Sequence, residues 1–127
     1  MKTILIVDDE PPVRSLYGLV LRRNGYHVIE ADSEGVALDM ARNHLPDLIL
    51  SDIFILESDG VSLLRQIRGD PKLMSRQFVL MTGSPDLVMS LKGIEGADDF
   101  LVKPISLQVL LSCIKKRLSA RTTDLDR

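Results

Sequence analysis

The stretch ILIVDDE, residues 4–10, joins an apolar run to three consecutive acids. The apolar part extends back to Lys2 and does not alternate with polar residues, which predicts a strand buried on both faces, as in a parallel sheet. The acids end this strand. Asp52 ends a similar run, LILSD, and Lys103 follows another, FLV. We therefore expect the rest of the chain to bring these two residues to the acids.

Strand and helix patterns alternate along the rest of the chain. The four further strand-like runs are His27–Ala31, Leu48–Ser51, Phe78–Met81 and Asp99–Val102. The first of them is the more polar and suits a sheet edge. Each run is followed by apolar residues at helical spacing. The expected inner faces are Val13, Leu16, Tyr17, Val20 and Leu21; Ala37, Met40 and Ala41; Val61, Leu64 and Ile67; Leu87, Val88, Leu91 and Ile94; and Leu107, Leu110, Leu111, Ile114 and Leu118.

This βα pattern, repeated five times, predicts an α/β fold with a parallel sheet and helices on both of its faces. Ser33, Asp59 and Ser84 are candidate helix N-caps, and residues 53–58 are predicted to form a loop. The expected domain covers residues 1–119, with a polar, frayed C-terminal tail at 120–127.

Composition limits the function classes. The chain has 127 residues, 45% of them hydrophobic and 27% charged, with a net charge of −2. The slight acidity argues against a general nucleic-acid binder. The single cysteine, Cys113, fits a reducing compartment, and no apolar run reaches the roughly 20 residues needed to cross a membrane. The first residues become acidic too soon for a signal peptide, so we expect a cytoplasmic protein.

The acids at the strand ends predict a cation site. Asp8, Asp9, Asp52, Thr82 and Lys103 all follow strands, and in such folds the carboxyl ends of the strands form the ligand crevice. Two carboxylates about 4 Å apart repel by about 4 kcal/mol at a surface-like dielectric constant. Protonation of one acid would relieve this, but a hard cation such as Mg²⁺ does so better. Lys103 and Thr82 could then hold a phosphoryl group on a carboxylate nucleophile.

Six groups of residues carry a family resemblance. They are Asp8-Asp9-Glu10, Asp52, Asp59-Gly60, Thr82, Gly96-Ala97-Asp98-Asp99-Phe100 and Lys103-Pro104. Over residues 2–119 the chain resembles the receiver domain of two-component response regulators. The resemblance implies a flavodoxin-like, doubly wound sheet of five parallel strands in the order 2-1-3-4-5, with five helices.

The resemblance also implies residue roles. Asp52 would be the phosphoacceptor, with Lys103 and Thr82 at the phosphoryl group. Mg²⁺ would be held by Asp9, Asp52 and the Phe54 carbonyl, with Asp8 acting through water. Thr82 and Phe100 would form the switch. The Lys103-Pro104 peptide would be cis, as is often found in the family.

Implied partners and activity follow from the same resemblance. The phosphoryl donor would be a phosphohistidine on a sensor histidine kinase or a histidine phosphotransfer protein. Phosphorylation would shift the face made by the fourth helix, fifth strand and fifth helix, so that partner binding changes. A phosphorylation-dependent dimer is compatible with this. The resemblance implies no membrane or direct nucleic-acid contact, and no enzymatic activity beyond the domain's own phosphoryl transfer and dephosphorylation. The chain is expected to be a stand-alone receiver or a piece of a longer protein.

Two residues depart from the family pattern. Leu56 stands where a proline is usual, and Phe54 stands where a polar or smaller residue is common. We hypothesise that Phe54 shields the acyl phosphate from water. Alternative functions are a phosphorylation-independent interaction module and an aspartyl-nucleophile phosphohydrolase. The second is disfavoured because such enzymes usually have D-x-D after the first strand. Glu10 is expected outside the site, and His27 and His44 at the surface.

Overall fold

The computed structural model describes residues 1–55, 58–84, 86 and 96–125, with side chains described up to residue 119. Five strands form one parallel sheet in the order β2-β1-β3-β6-β7, and two short strands pair separately. In chain order the elements are β1 Thr3–Val7, α1 Pro11–Arg23, β2 His27–Ala31, α2 Glu34–His44, β3 Leu48–Asp52, β4 Phe54–Ile55, β5 Ser58–Asp59, α3 Gly60–Arg68, β6 Gln77–Thr82, β7 Asp99–Val102 and α4 Leu107–Leu125.

The flavodoxin-like fold is confirmed. The five main strands follow the predicted order 2-1-3-4-5 when numbered among themselves, and every adjacent pair is parallel. The more polar strand β2 lies at the sheet edge, as its composition predicted. The central strands are continuous apolar runs because helices cover both of their faces.

The core has two layers, one on each face of the sheet. On one face α2 and α3 pack through residues that include Ala37, Ala41, Leu64 and Ile67, all without exposed surface. On the other face α1 and α4 pack through Tyr17, Leu21, Leu110, Ile114, Cys113 and Leu118. The predicted helix caps at Ser33 and Asp59 accept hydrogen bonds from the N–H groups of Val36 and Ser62, which satisfies one of the free donors in each first turn.

Expectations about a loop, two inner-face leucines and the C-terminal tail differ from the structure. The predicted loop at 53–58 contains a small antiparallel ladder, in which Phe54 pairs with Asp59. Leu16 is 48% exposed because it lies at the margin of the apolar stripe of α1, and Leu107 is 39% exposed as the first residue of α4. Helix α4 continues to Leu125, so most of the expected tail is helical. Four helices fall within the described residues, and the predicted helix carrying Leu87, Val88, Leu91 and Ile94 lies outside them, as do Leu56 and Pro85.

Arg68 ties the last turn of α3 to the starts of β6 and β7. Its guanidinium donates to the backbone carbonyls of Gly96 at 2.8 Å, Met74 at 2.9 Å and Arg76 at 2.6 Å. It also pairs with the Asp98 carboxylate at 2.9 Å, which in turn accepts the N–H of Phe78. This network lies at the N-terminal ends of β6 and β7, opposite the strand ends that carry the acids.

Candidate functional site

The register of the sheet brings the acids together. Val7 on β1 is the direct neighbour of Ser51 on β3, so the residues that follow each of them meet at one sheet edge. Carboxylate oxygens of Asp8, Asp9 and Asp52 all lie within 4.8 Å of one another. Asp8 has no exposed surface and Asp52 is 8% exposed. Three carboxylates therefore share a small and largely buried volume, as the sequence predicted.

Lys103 reaches this cluster from the end of β7. Its N–H donates to the Thr82 carbonyl at 2.7 Å, which holds it beside the end of β6. Its ammonium donates to Asp52 Oδ2 at 2.7 Å and to Asp8 Oδ2 at 2.9 Å. Burial alone would lower the pKa of Lys103, but the hydrogen bonds and charges of Asp52 and Asp8 raise that pKa above its ordinary value. Lys103 is therefore a fixed positive charge on the acid cluster.

Backbone groups orient the carboxylates. The N–H of Glu10 donates to Asp8 Oδ1 at 2.9 Å, and the N–H of Phe54 donates to Asp52 Oδ1 at 3.3 Å. The Ile53 N–H donates to the Met81 carbonyl at 2.8 Å, so the chain just after Asp52 stays attached to β6. Each buried carboxylate thus has one oxygen on a backbone donor and the other on Lys103.

Gly60 sets how closely α3 approaches Asp52. A Cβ at this position would lie 2.6 Å from the Asp52 backbone oxygen and 2.8 Å from Cδ2 of Leu80. Both distances are shorter than side-chain contacts in proteins allow. Only glycine lets the first turn of α3 pack directly against the peptide that carries the Asp52 carboxylate.

The acids open into a cavity of about 550 Å³. Its walls include Asp9, Asp52 and Lys103, together with Tyr17 and Phe54. Phe54 is 63% exposed at this wall. Burial raises the pKa of Tyr17 above its ordinary value, an effect that Lys103 opposes and the acids Asp8, Asp52 and Glu10 reinforce. The cavity therefore gives an external group direct access to Asp52.

The donor set fits a hard divalent cation. Carboxylate oxygens are the ligands that Mg²⁺ prefers, and three of them converge here with room for water on the cavity side. Within the described part of the chain, this is the one cluster of three or more acidic, histidine or cysteine ligands close enough to share an ion. Aspartate, lysine and a cation at one site can bind and accept an anionic group.

The other predicted site residues, Thr82 and Phe100, lie on β6 and β7. Thr82 is 1% exposed at the end of β6, and its hydroxyl accepts the N–H of Ser84 at 3.1 Å. Gly83, one residue on, lines the cavity instead. Phe100 is partly buried against the core beneath α3, on β7. Glu10, expected outside the site, lines the cavity. The Lys103-Pro104 peptide is cis, as the resemblance implied.

Sequence reasoning missed two residues at the site. Tyr17 had been assigned only to the inner face of α1, and that assignment is correct, but its ring also forms part of the cavity wall. Arg14 donates to the Asp8 carbonyl at 2.6 Å. A lone arginine in the first turns of a helix carries no spacing signal that would have pointed to this contact.

A protein-family model matches most of the chain. Residues 4–115 match the family model of the response regulator receiver domain. The phosphate regulon transcriptional regulatory protein PhoB of Pseudomonas aeruginosa is 34% identical over 115 residues, which are 90% of this chain and 50% of PhoB. Histidine kinase P4 of Formosa agariphila is 35% identical over 120 residues, 94% of this chain and 9% of the kinase. The chain thus spans half or less of these relatives.

A solved structure shares the fold of this chain. The CheY-like response regulator receiver domain protein of Methanospirillum hungatei superposes with a TM-score of 0.88 at 29% identity, covering 98% of each chain. The shared fold extends over nearly the whole chain, so the cluster of Asp8, Asp9, Asp52 and Lys103 lies on a scaffold of this kind. None of the described helices is both long and apolar enough to cross a bilayer.

Proposed function

The chain belongs to the response regulator receiver domain family, and from this premise we propose that it is a phosphoacceptor switch in a two-component phosphorelay. Asp52 is the proposed acceptor. The observation that carries the proposal is the Lys103 ammonium, which lies 2.7 Å from Asp52 and 2.9 Å from Asp8 at the wall of an open cavity. A structural ion pair alone has no need of a third carboxylate, Asp9, at the same point.

The proposed transfer moves a phosphoryl group from a histidine nitrogen to Asp52. An Asp52 carboxylate oxygen attacks phosphorus, the new O–P bond forms as the N–P bond breaks, and the released imidazole takes up a proton. Lys103 neutralises the phosphoryl oxygens as they arrive. Asp9, Asp52 and the Phe54 carbonyl would hold Mg²⁺, with Asp8 acting through water. When bound, the ion supplies charge neutralisation and alignment of the phosphoryl oxygens, on which such transfers depend.

The proposed readout passes through Thr82 and Phe100. These residues lie on adjacent strands, where Thr82 pairs with Val102 and Leu80 pairs with Phe100. A phosphoryl group on Asp52 would attract the Thr82 hydroxyl, and Phe100 would move into the space that opens. The result is a shift of the face formed by the predicted fourth helix, β7 and α4, which alters partner binding.

Partners and location belong to the proposal. The proposed donor is a sensor histidine kinase or histidine phosphotransfer protein, and the kinase among the relatives supports this class of partner. We propose a cytoplasmic location and no enzymatic activity beyond the domain's own phosphoryl transfer and dephosphorylation.

The test is phosphorylation measured by intact mass. Wild-type protein, incubated with Mg²⁺ and a small acyl phosphate, should gain one phosphoryl group. Asp52→Asn, and wild type in EDTA, should gain none. If neither a small donor nor a histidine kinase modifies the wild type, the proposal fails and the phosphorylation-independent interaction module takes its place.

A further inference from the structure

Arg14 contacts the acid loop through its backbone. Its Nη1 donates to the Asp8 carbonyl oxygen at 2.6 Å. That carbonyl belongs to the peptide that joins Asp8 to Asp9, so its direction determines how Asp9 leaves the end of β1. A donor on this one oxygen therefore acts on both acids at once.

Glu30 fixes Arg14 in turn. Arg14 Nε pairs with Glu30 Oε1 at 3.1 Å, and the two side chains are 18% and 26% exposed. The other carboxylate oxygen of Glu30, Oε2, pairs with Arg22 Nη2 at 3.1 Å. Arg14 thus uses one edge of its planar guanidinium for β2 and another nitrogen for the acid loop, an arrangement that the rigid fork of arginine allows.

Helix α1 must lie close to β2 for these contacts to form. Gly18 faces the same arginine–glutamate cluster, and a Cβ there would lie 3.1 Å from Arg22 Nη1 and 3.3 Å from Glu30 Oε2. The Asp8 N–H meanwhile donates to the Ala31 carbonyl at 3.1 Å. The edge strand β2 therefore holds Asp8 at two points, directly through Ala31 and indirectly through Glu30 and Arg14.

We propose that Arg14, held by Glu30, is a positioning residue that sets the geometry of the cation site. This rests on the proposed Mg²⁺-dependent function. Arg14 itself binds neither the cation nor the phosphoryl group. Its role is to hold the Asp8–Asp9 peptide so that the Asp9 carboxylate faces Asp52. Groups that orient metal ligands in this way typically change metal affinity by about 10- to 100-fold when removed.

Charge and positioning predict opposite results, which makes the proposal testable. Removal of a positive charge near three carboxylates strengthens cation binding if Arg14 acts only through its field. Removal of a positioning contact weakens it. Substitution of Arg14 by methionine keeps the aliphatic stem and removes both the charge and the donors, so the direction of the change separates the two roles.

The experiment measures Mg²⁺ affinity by calorimetric titration of the intact chain at physiological ionic strength. Arg14→Met is expected to bind Mg²⁺ on the order of tenfold more weakly than wild type. Arg22→Met is the matched control, because it removes the other arm of the Glu30 cluster without touching Asp8. It should bind Mg²⁺ as wild type does. Phosphorylation of Arg14→Met by a small acyl phosphate should return to the wild-type extent at saturating Mg²⁺.

The outcomes are distinguishable. Unchanged or tighter Mg²⁺ binding by Arg14→Met overturns the inference while leaving the proposed function intact. Equal weakening in Arg22→Met also overturns it, since a general loss of packing then explains both. Failure of the wild type to bind Mg²⁺ at all overturns the proposed function and the inference with it. If Arg14→Met does not fold, Arg14→Lys serves instead, because it keeps the charge and loses the fork. Weaker binding then supports positioning, and unchanged binding refutes it.

Discussion

Replacement of Lys103 by methionine removes the cation that bridges two buried carboxylates. At N···O distances of 2.7 and 2.9 Å, each pair attracts by about 6 kcal/mol at an effective dielectric constant near 20. Desolvation of the three ions offsets much of this attraction. Removal of one partner from a buried pair destabilises by about 3–5 kcal/mol. Because Lys103 keeps 18% of its side chain exposed, we expect the lower end, about 3 kcal/mol in the free energy of unfolding.

The loss should depend on pH in a defined way. The pKa of Lys103 is raised in the folded protein above its ordinary value of 10.5 by its bonds to Asp52 and Asp8, against the lowering effect of burial. A raised folded pKa contributes stability that is fully present below the unfolded pKa and is lost as pH rises through the folded one. The difference between wild type and variant should therefore be constant from neutral pH to about 10 and shrink above it.

Urea denaturation in EDTA, followed by far-UV circular dichroism, measures this difference. Lys72→Met, at an exposed lysine, is the control and should unfold as wild type does. Added Mg²⁺ should stabilise Lys103→Met, since a cation can replace the lost ammonium among the carboxylates. A loss below about 1 kcal/mol, or a difference that grows at high pH, would refute the view that Lys103 holds the acids together.

Three further predictions concern the cavity and the core. Gly60→Ala should lower the free energy of unfolding by about 1–3 kcal/mol in urea titrations, because the new methyl overlaps the Asp52 carbonyl; wild-type stability would contradict this. Phe54→Asn should shorten the life of the acyl phosphate in a mass-spectrometric time course, and an unchanged lifetime would remove the proposed shielding role of this cavity-wall residue. Burial, with the nearby Asp99, raises the pKa of Cys113 to about 12, so iodoacetamide at pH 8 should alkylate it slowly in native protein and quickly in urea. Equal rates in both states would show that the thiol is accessible.

The strands and the acid cluster could be predicted because they depend on local patterns. A continuous apolar run predicts a strand buried on both faces of a sheet. Strands β2 and β7 also have the predicted bounds. The carboxyl ends of parallel strands meet at one edge, so Asp9, Asp52 and Lys103 had to be near neighbours once the order was fixed. The grouping of these residues could therefore be predicted from the sequence.

The remaining features depend on contacts between distant segments. The β4–β5 ladder pairs Phe54 with Asp59 and Ile55 with Ser58, and no alternating pattern in the sequence predicts it. Leu16 satisfies the helical spacing, yet it lies at the margin of the apolar stripe of α1 and stays 48% exposed. The contact of Arg14 with a backbone carbonyl leaves no trace in the sequence, because every residue offers the same acceptor.

Substitutions affect the donor and the acceptors of the Arg68 network differently. Three of its four acceptors are the main-chain oxygens of Met74, Arg76 and Gly96, which a change of side chain does not remove. The donor side consists of a single guanidinium, which no other side chain replaces in shape. Side-chain changes at 74 and 76 should therefore leave these bonds in place, whereas a single substitution at Arg68 removes all four contacts at once.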